Sequence, residues 1–123
     1  MRIFVASSDR VLRLALLLLL ESEPGMAVIG MFDQAEGLLT IAKASNSEVY
    51  LLDDRLAHPS TIVDLIGSVH GLENSPKVIV LSPDPQIEPI ALAAGADAFI
   101  NMSSPPDGLL PILRQMRPSK HIG

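Results

Sequence analysis

The chain has 123 residues, 48% of them hydrophobic and 19% charged, with a formal net charge of −5 and a pI near 5.0. That length suits one domain whose core needs neither disulfides nor a structural metal, and the composition is that of a globular chain. The acidic balance argues against a nucleic-acid surface, which needs clustered Lys and Arg, and three Phe and one Tyr supply no stacking platform for single strands.

The absence of cysteine excludes disulfides, thiolate zinc sites and cysteine nucleophiles, and fits a reducing compartment. The longest apolar run, Leu14 to Leu20, falls far short of the roughly 20 residues of a membrane span and is bracketed by Arg10, Arg13, Glu21 and Glu23. Met1-Arg2 leads straight into a strand-like segment with no export signal, so a cytoplasmic location without membrane contact is expected.

In chain order, Ile3-Phe4-Val5-Ala6 is a β-rich run ending in Ser7-Ser8-Asp9, and a Leu-rich helix is expected from about Asp9 to Ser22, with Ser7 and Ser8 read as its N-caps. Pro24-Gly25 stops it. Ala27 to Met31 reads as a second strand, followed by Asp33 as the cap of a helix from about Gln34 to Ala44. Glu48 to Asp53 is a third strand, and Pro59 suits the first turn of a helix reaching His70, with Gly71 at its end. Lys77 to Ser82, a β-branched run between turn residues, is the clearest strand. Pro83, Pro85 and Pro89 crowd the start of the fourth helix, so a late, short helix from about Glu88 to Ala94 is predicted, with Pro89 in its first turn. Ala98 to Asn101 forms a fifth strand, and Pro106 is expected to open a last helix running to Met116.

Five strands alternating with five helices predict a doubly wound parallel sheet with helices on both faces, because parallel strands need crossover connections and those are usually helical. Residues 1–116 are expected to form one domain, with 117–123 as a tail or the start of a linker. In such sheets ligands bind beyond the carboxyl ends of the strands, at the switch point in strand order. Those ends offer Ser7, Ser8 and Asp9, then Asp53 and Asp54, Ser82, and Asn101 with Met102.

At these positions, and over nearly its whole length, the chain resembles the receiver (CheY-like) domain of bacterial two-component response regulators. The matching segments are the opening strand and Leu-rich helix, Leu51-Leu52-Asp53-Asp54-Arg55-Leu56, Val78-Ile79-Val80-Leu81-Ser82 and Gly95-Ala96-Asp97-Ala98-Phe99. The resemblance implies the flavodoxin-like strand order 2-1-3-4-5. It implies that Asp53 stands at the position of the phosphoryl acceptor, Ser82 at that of the strand-4 hydroxyl and Phe99 at that of the aromatic switch.

The departures carry equal weight. Where the family has an acidic pair that holds Mg2+ there are Ser7 and Ser8, and where it has a lysine there is Met102. Mg2+ is usually held by one or two carboxylates plus waters and phosphate oxygens, so Asp53 alone should bind it weakly. Losing one positioned charge from a phosphoryl-transfer site typically costs ~10²- to 10³-fold in rate, and here several are missing.

The leading expectation is therefore a regulatory interaction module of the receiver type, not an enzyme, with weak or absent Mg2+-dependent phosphorylation. A sensor histidine kinase and a second copy of the chain are candidate partners, and a DNA-binding output domain beyond the chain is compatible with the resemblance. A competing expectation is a working phospho-receiver in which Asp9 joins Asp53 as a substitute metal ligand. A third is a flavodoxin-like enzyme domain with an unrelated ligand, although no Gly-rich phosphate loop follows strand 1 and no Asp-x-His-x-x-Gly cobalamin loop is present. For Ser82 a simple turn hydroxyl, and for Phe99 a core role, are the plainer readings. His58, His70 and His121 have no ligand-spaced partner, so solvent exposure is expected for them.

Overall fold

A computed structural model describes residues 1–56, 58–102 and 108–116. Five parallel strands, β1 (Arg2–Ala6), β2 (Ala27–Phe32), β3 (Val49–Asp53), β4 (Lys77–Ser82) and β5 (Ala98–Asn101), form one sheet in the order β2-β1-β3-β4-β5. The crossovers are α1 (Arg10–Glu21), α2 (Leu38–Ser45), α3 (Pro59–His70) and α4 (Ile87–Ala93), and α5 (Leu109–Met116) follows β5. This is the doubly wound architecture expected from the alternation of strand and helix signals.

Strand alternation divides the core into two layers. Phe4, Ala6, Tyr50, Leu52, Val78 and Val80 face Leu38 and Ala42 of α2, Ile62, Ile66 and Val69 of α3, and Ala91 of α4. Ile3, Val5, Val49, Leu51, Ile79 and Leu81 face Leu16 and Leu20 of α1 and Leu109 and Leu113 of α5. β3 is buried along its whole length, as a central parallel strand must be.

Asp9, not Ser7 or Ser8, caps α1: its carboxylate accepts from the N–H groups of Val11 and Leu12. The two serines are displaced from that role because Ser7 lies inside the sheet edge, its N–H bonded to the Phe32 carbonyl. The second helix also departs from expectation. It begins at Leu38, four residues after Gln34, and Asp33 does not cap it; Gly37 stands at its N-cap in the left-handed conformation, with no side-chain cap. Leu38 is the first fully buried residue after β2, the preceding segment offering only the partly buried Ala35 to hold a helical turn against the sheet. α4 starts within one residue of its expected place with Pro89 in its first turn. Pro106 and the 117–123 tail lie outside the described residues.

Phe4 is held between Tyr50, with ring centroids 5.4 Å apart, and Gly30 on the neighbouring strand. The register of β1 on β2 slips by one residue here, pairing Ile3 with Val28 but Phe4 with Gly30. A Cβ on Gly30 would lie 2.6 Å from the Phe4 ring, which is fully buried and has nowhere to retreat. Gly30→Ala is expected to destabilise the domain by about 1–3 kcal/mol, the usual cost of overpacking, in urea titrations.

His70 is not simply solvated. Its Nε2 lies 2.8 Å from Asp97 Oδ2, which also accepts from the Val78 N–H at 2.8 Å, so the C-terminus of α3 is tied to the turn entering β5. Burial pushes the Asp97 carboxyl up, but hydrogen bonds from His70 and Val78 and the charges of His70 and Lys77 outweigh it and hold it below the usual carboxylate range. With a folded value below the unfolded one of about 3.9, its stabilisation is complete above that pH and is lost as pH falls toward the folded value. Asp97→Asn should cost about 1 kcal/mol at pH 7, with wild type and variant converging as pH falls below the carboxylate range in urea titrations.

Candidate functional site

The carboxyl ends of β1 and β3 lie side by side, with Ala6 paired to Leu52, and this places Ser7 next to Asp53 on the sheet face covered by α1 and α5. Asp53 is 1% exposed. Immediately after it the chain turns into a short 3₁₀ segment, Asp54–Leu56, that folds Arg55 back over the strand end.

Four hydrogen bonds converge on the Asp53 carboxylate. Oδ1 accepts from the Arg55 backbone N–H at 3.0 Å and from Arg55 Nε at 3.1 Å. Oδ2 accepts from the Ser7 hydroxyl at 2.7 Å and from Arg55 Nη2 at 2.9 Å. A carboxylate offers about four lone-pair sites, so this one is saturated by the protein itself. The bonds to Asp53 raise the Arg55 guanidinium further above its ordinary value against the opposing effect of burial, so it stays charged.

Ser7 is fixed from several sides. Its hydroxyl accepts from the Asp9 N–H at 3.1 Å while donating to Asp53, and its carbonyl accepts from Arg13 Nη1 at 2.6 Å. Asp9 spends Oδ1 on its capping bonds, at 2.9 and 3.1 Å, and turns Oδ2 toward Arg55 Nη2 at 3.5 Å. Ser8 is exposed. Above this cluster runs an open groove of about 290 Å³, lined by Asp9, Arg55, Val11, Leu12, Pro83 and Met102. Met102 donates its backbone N–H to the Ser82 carbonyl at 2.8 Å.

Ser82 and Phe99 belong to the other face. The Ser82 hydroxyl is engaged with the backbone of Asp84, accepting from its N–H at 3.0 Å and lying 3.3 Å from its carbonyl oxygen, rather than with Asp53. Phe99 is half-buried against the core layer of α2, α3 and α4. Thus Asp53, Ser7, Asp9 and Met102 come together around one groove, and Ser82 and Phe99 stand apart from it. Arg55 is the residue that sequence reasoning passed over. Its signal was the Asp53-x-Arg55 spacing combined with the lack of acidic and lysine partners at the other strand ends.

Both Asp53 oxygens are committed to protein donors and Asp9 has one oxygen free of its cap; no group of three or more His, Asp or Glu that could hold a metal occurs among the described residues.

Asp54 points the opposite way, into a small apolar cavity with Ile62, Ile66, Ile87 and Ala91. Its Oδ1 is buried without a hydrogen-bond partner. Burial pushes the Asp54 carboxyl up, the Ser82 hydroxyl counteracts this in part, and the neighbouring Asp53 charge adds to the rise. A raised carboxyl value means that the folded state holds the proton more tightly than the unfolded one, so this group's contribution worsens as pH rises above the carboxylate range. Asp54→Leu is expected to stabilise the domain by about 1 kcal/mol at pH 7, with a smaller gain at pH 4, as read by denaturant midpoints.

No family model matches the sequence, and no curated protein matches it. Solved structures do match in fold. A response regulator receiver domain protein (CheY-like) from Methanospirillum hungatei JF-1 is 22% identical, with 93% of this chain and 90% of that one covered at a TM-score of 0.76. The isolated REC domain of RcsB from Salmonella enterica serovar Typhimurium, solved in the presence of phosphomimetic BeF3-, is 18% identical, with 97% and 91% covered at 0.80. The signal receiver domain of the putative response regulator NarL from Mycobacterium tuberculosis is 22% identical, with 94% and 97% covered at 0.74. The fold is that of response-regulator receiver (CheY-like) domains, with strand order 2-1-3-4-5.

Proposed function

We infer that this chain is a receiver-type domain of two-component signalling that works as a regulatory protein-interaction module in the cytoplasm, with weak or absent Mg2+-dependent phosphorylation. The observation that carries this reading is the strand-end cluster. It presents a single buried carboxylate, Asp53, with hydroxyls at Ser7 and Ser8 and a thioether at Met102 in the places where the receiver pattern has two acids and a lysine. Phosphoryl transfer depends on positioned positive charge more than on covalent chemistry by the protein, and in this cluster the Arg55 guanidinium is already engaged by Asp53 and that of Arg13 by the Ser7 carbonyl.

An exposed apolar row on α1 supports a role in protein contact. Val11, Leu14 and Leu18 are 76%, 50% and 74% exposed, and Val11 adjoins the groove above Asp53. A sensor kinase, an output domain or a second copy of the chain are the partners this class of domain implies. The chain's net charge of −5 disfavours direct DNA contact by the domain itself.

The second reading, phosphorylation of Asp53 with Asp9 as a substitute metal ligand, draws on the fact that both carboxylates flank the same Arg55 nitrogen. Incubation with acetyl phosphate and Mg2+, followed by intact mass, separates the two. The inferred function requires no phosphate adduct at times when an ordinary receiver is fully modified, a rate lower by at least about 10²-fold. A stoichiometric adduct that disappears in Asp53→Asn would establish the second reading instead.

A further inference from the structure

We propose that Arg55 is the resident cation of this pocket: its guanidinium occupies, on a covalent tether, the place between Asp53 and Asp9 that a divalent ion would need, and keeps such an ion out. The proposal rests on the receiver-type reading of the cluster and explains how a buried acid survives there without metal.

Three features point to it. The guanidinium meets Asp53 in a fork, Nε to Oδ1 at 3.1 Å and Nη2 to Oδ2 at 2.9 Å, the geometry in which Arg replaces two separate donors. The same Nη2 lies 3.5 Å from Asp9 Oδ2, so one positive group bridges both acids on this side of the sheet. The 3₁₀ turn that carries Arg55 also directs its backbone N–H onto Asp53 Oδ1, so tether and anchor are two residues apart and little chain entropy opposes the contact. With Ser7 on the last acceptor site, a metal could reach Asp53 only by displacing Arg55 into solvent, and hydroxyls at Ser7 and Ser8 are poor replacements for lost anionic ligands.

The test uses the full chain as wild type, Ser8→Asp, Arg55→Ala and the Ser8→Asp/Arg55→Ala double variant, titrated with Mn2+ as a spectroscopic probe. Bound ion is read by electron paramagnetic resonance. Ser8→Asp returns an anionic side chain between Ser7 and Asp9 in the chain while leaving Arg55 in place. Wild type and Ser8→Asp should leave Mn2+ free at millimolar concentration, and the double variant should bind at least about 10-fold more tightly than Ser8→Asp. Tight binding by wild type, equal affinity of Ser8→Asp and the double variant, or no binding by a folded double variant would each overturn the proposal.

Thermal unfolding provides a second readout that does not depend on metal. Arg55→Ala should lower the melting temperature by roughly 5 °C, and most of that loss should vanish in an Asp53→Asn background. Equal losses in both backgrounds would reject the pairing, and Arg55→Gln replaces Arg55→Ala in both experiments if the alanine variant does not fold. The two readings fail separately. A chain that excludes Mn2+ yet is phosphorylated contradicts the inferred function alone, and a chain that resists phosphorylation yet binds Mn2+ contradicts the role of Arg55 alone.

Discussion

The pocket is organised by the burial of one carboxylate. Asp53 terminates the central strand, between β1 and β4, with helices packed against both sheet faces, so water cannot solvate its charge. A buried ionic group is tolerated where an opposite charge and enough hydrogen bonds replace the lost solvent. Here a guanidinium, an amide and a hydroxyl do so from three directions, and each comes from a segment whose position follows from that requirement. Ser7 must stand at the end of β1, the 3₁₀ turn must reverse the chain directly after β3, and Asp9 must cap α1 so that its second oxygen faces Arg55.

The one-residue step from Asp53 to Asp54 shows how sharply strand alternation sorts chemically identical side chains. Asp53 falls on the side of α1 and α5 and is fully answered. Asp54 falls on the side of α3 and α4, against isoleucines, with one oxygen unpartnered and its burial moderated by the Ser82 hydroxyl and, less, by the Arg55 charge. The same parity removes Ser82 from Asp53: it shares a face with Val78 and Val80, whereas Asp53 shares one with Val49 and Leu51. Sequence adjacency at strand ends is thus a poor guide to which groups act together, and side-chain direction is a better one.

Strands β3, β4 and β5 were legible because their apolar, β-branched or aromatic runs are bounded by turn residues, and the boundaries of β4 and β5 agree with expectation. The late start of α4 followed from the ring of Pro89, which tolerates few positions in a helix. The start of α2 was not legible. Asp33 looks like a cap in sequence, but a cap stabilises only a turn that also packs, and packing begins at Leu38. The place of Asp53 was legible for the same reason as its strand. The direction of the Arg55 side chain was not, since a long flexible group takes its orientation from tertiary contacts. Nor was the His70–Asp97 contact, which joins residues 27 apart through the fold.

Charge accounting connects the pocket to its chemistry. Two carboxylates, Asp9 and Asp53, face the Arg55 guanidinium, Arg13 places a second guanidinium on the Ser7 carbonyl, and Met102 adds no charge. A phosphoryl group brings about −1.5 to −2 more at neutral pH, together with acceptor oxygens that each need a donor. The Arg55 nitrogens that hold Asp53 and Asp9, Nε and Nη2, could serve those oxygens only by loosening contacts that compensate the buried acid. A divalent ion resolves that conflict in a site with several anionic ligands, because it adds charge without withdrawing it from elsewhere. Where the positive charge is instead a side chain already paired with the buried acid, that pairing has to be kept or replaced. A change of state would then have to be driven from outside the pocket, through surfaces such as the apolar row of α1.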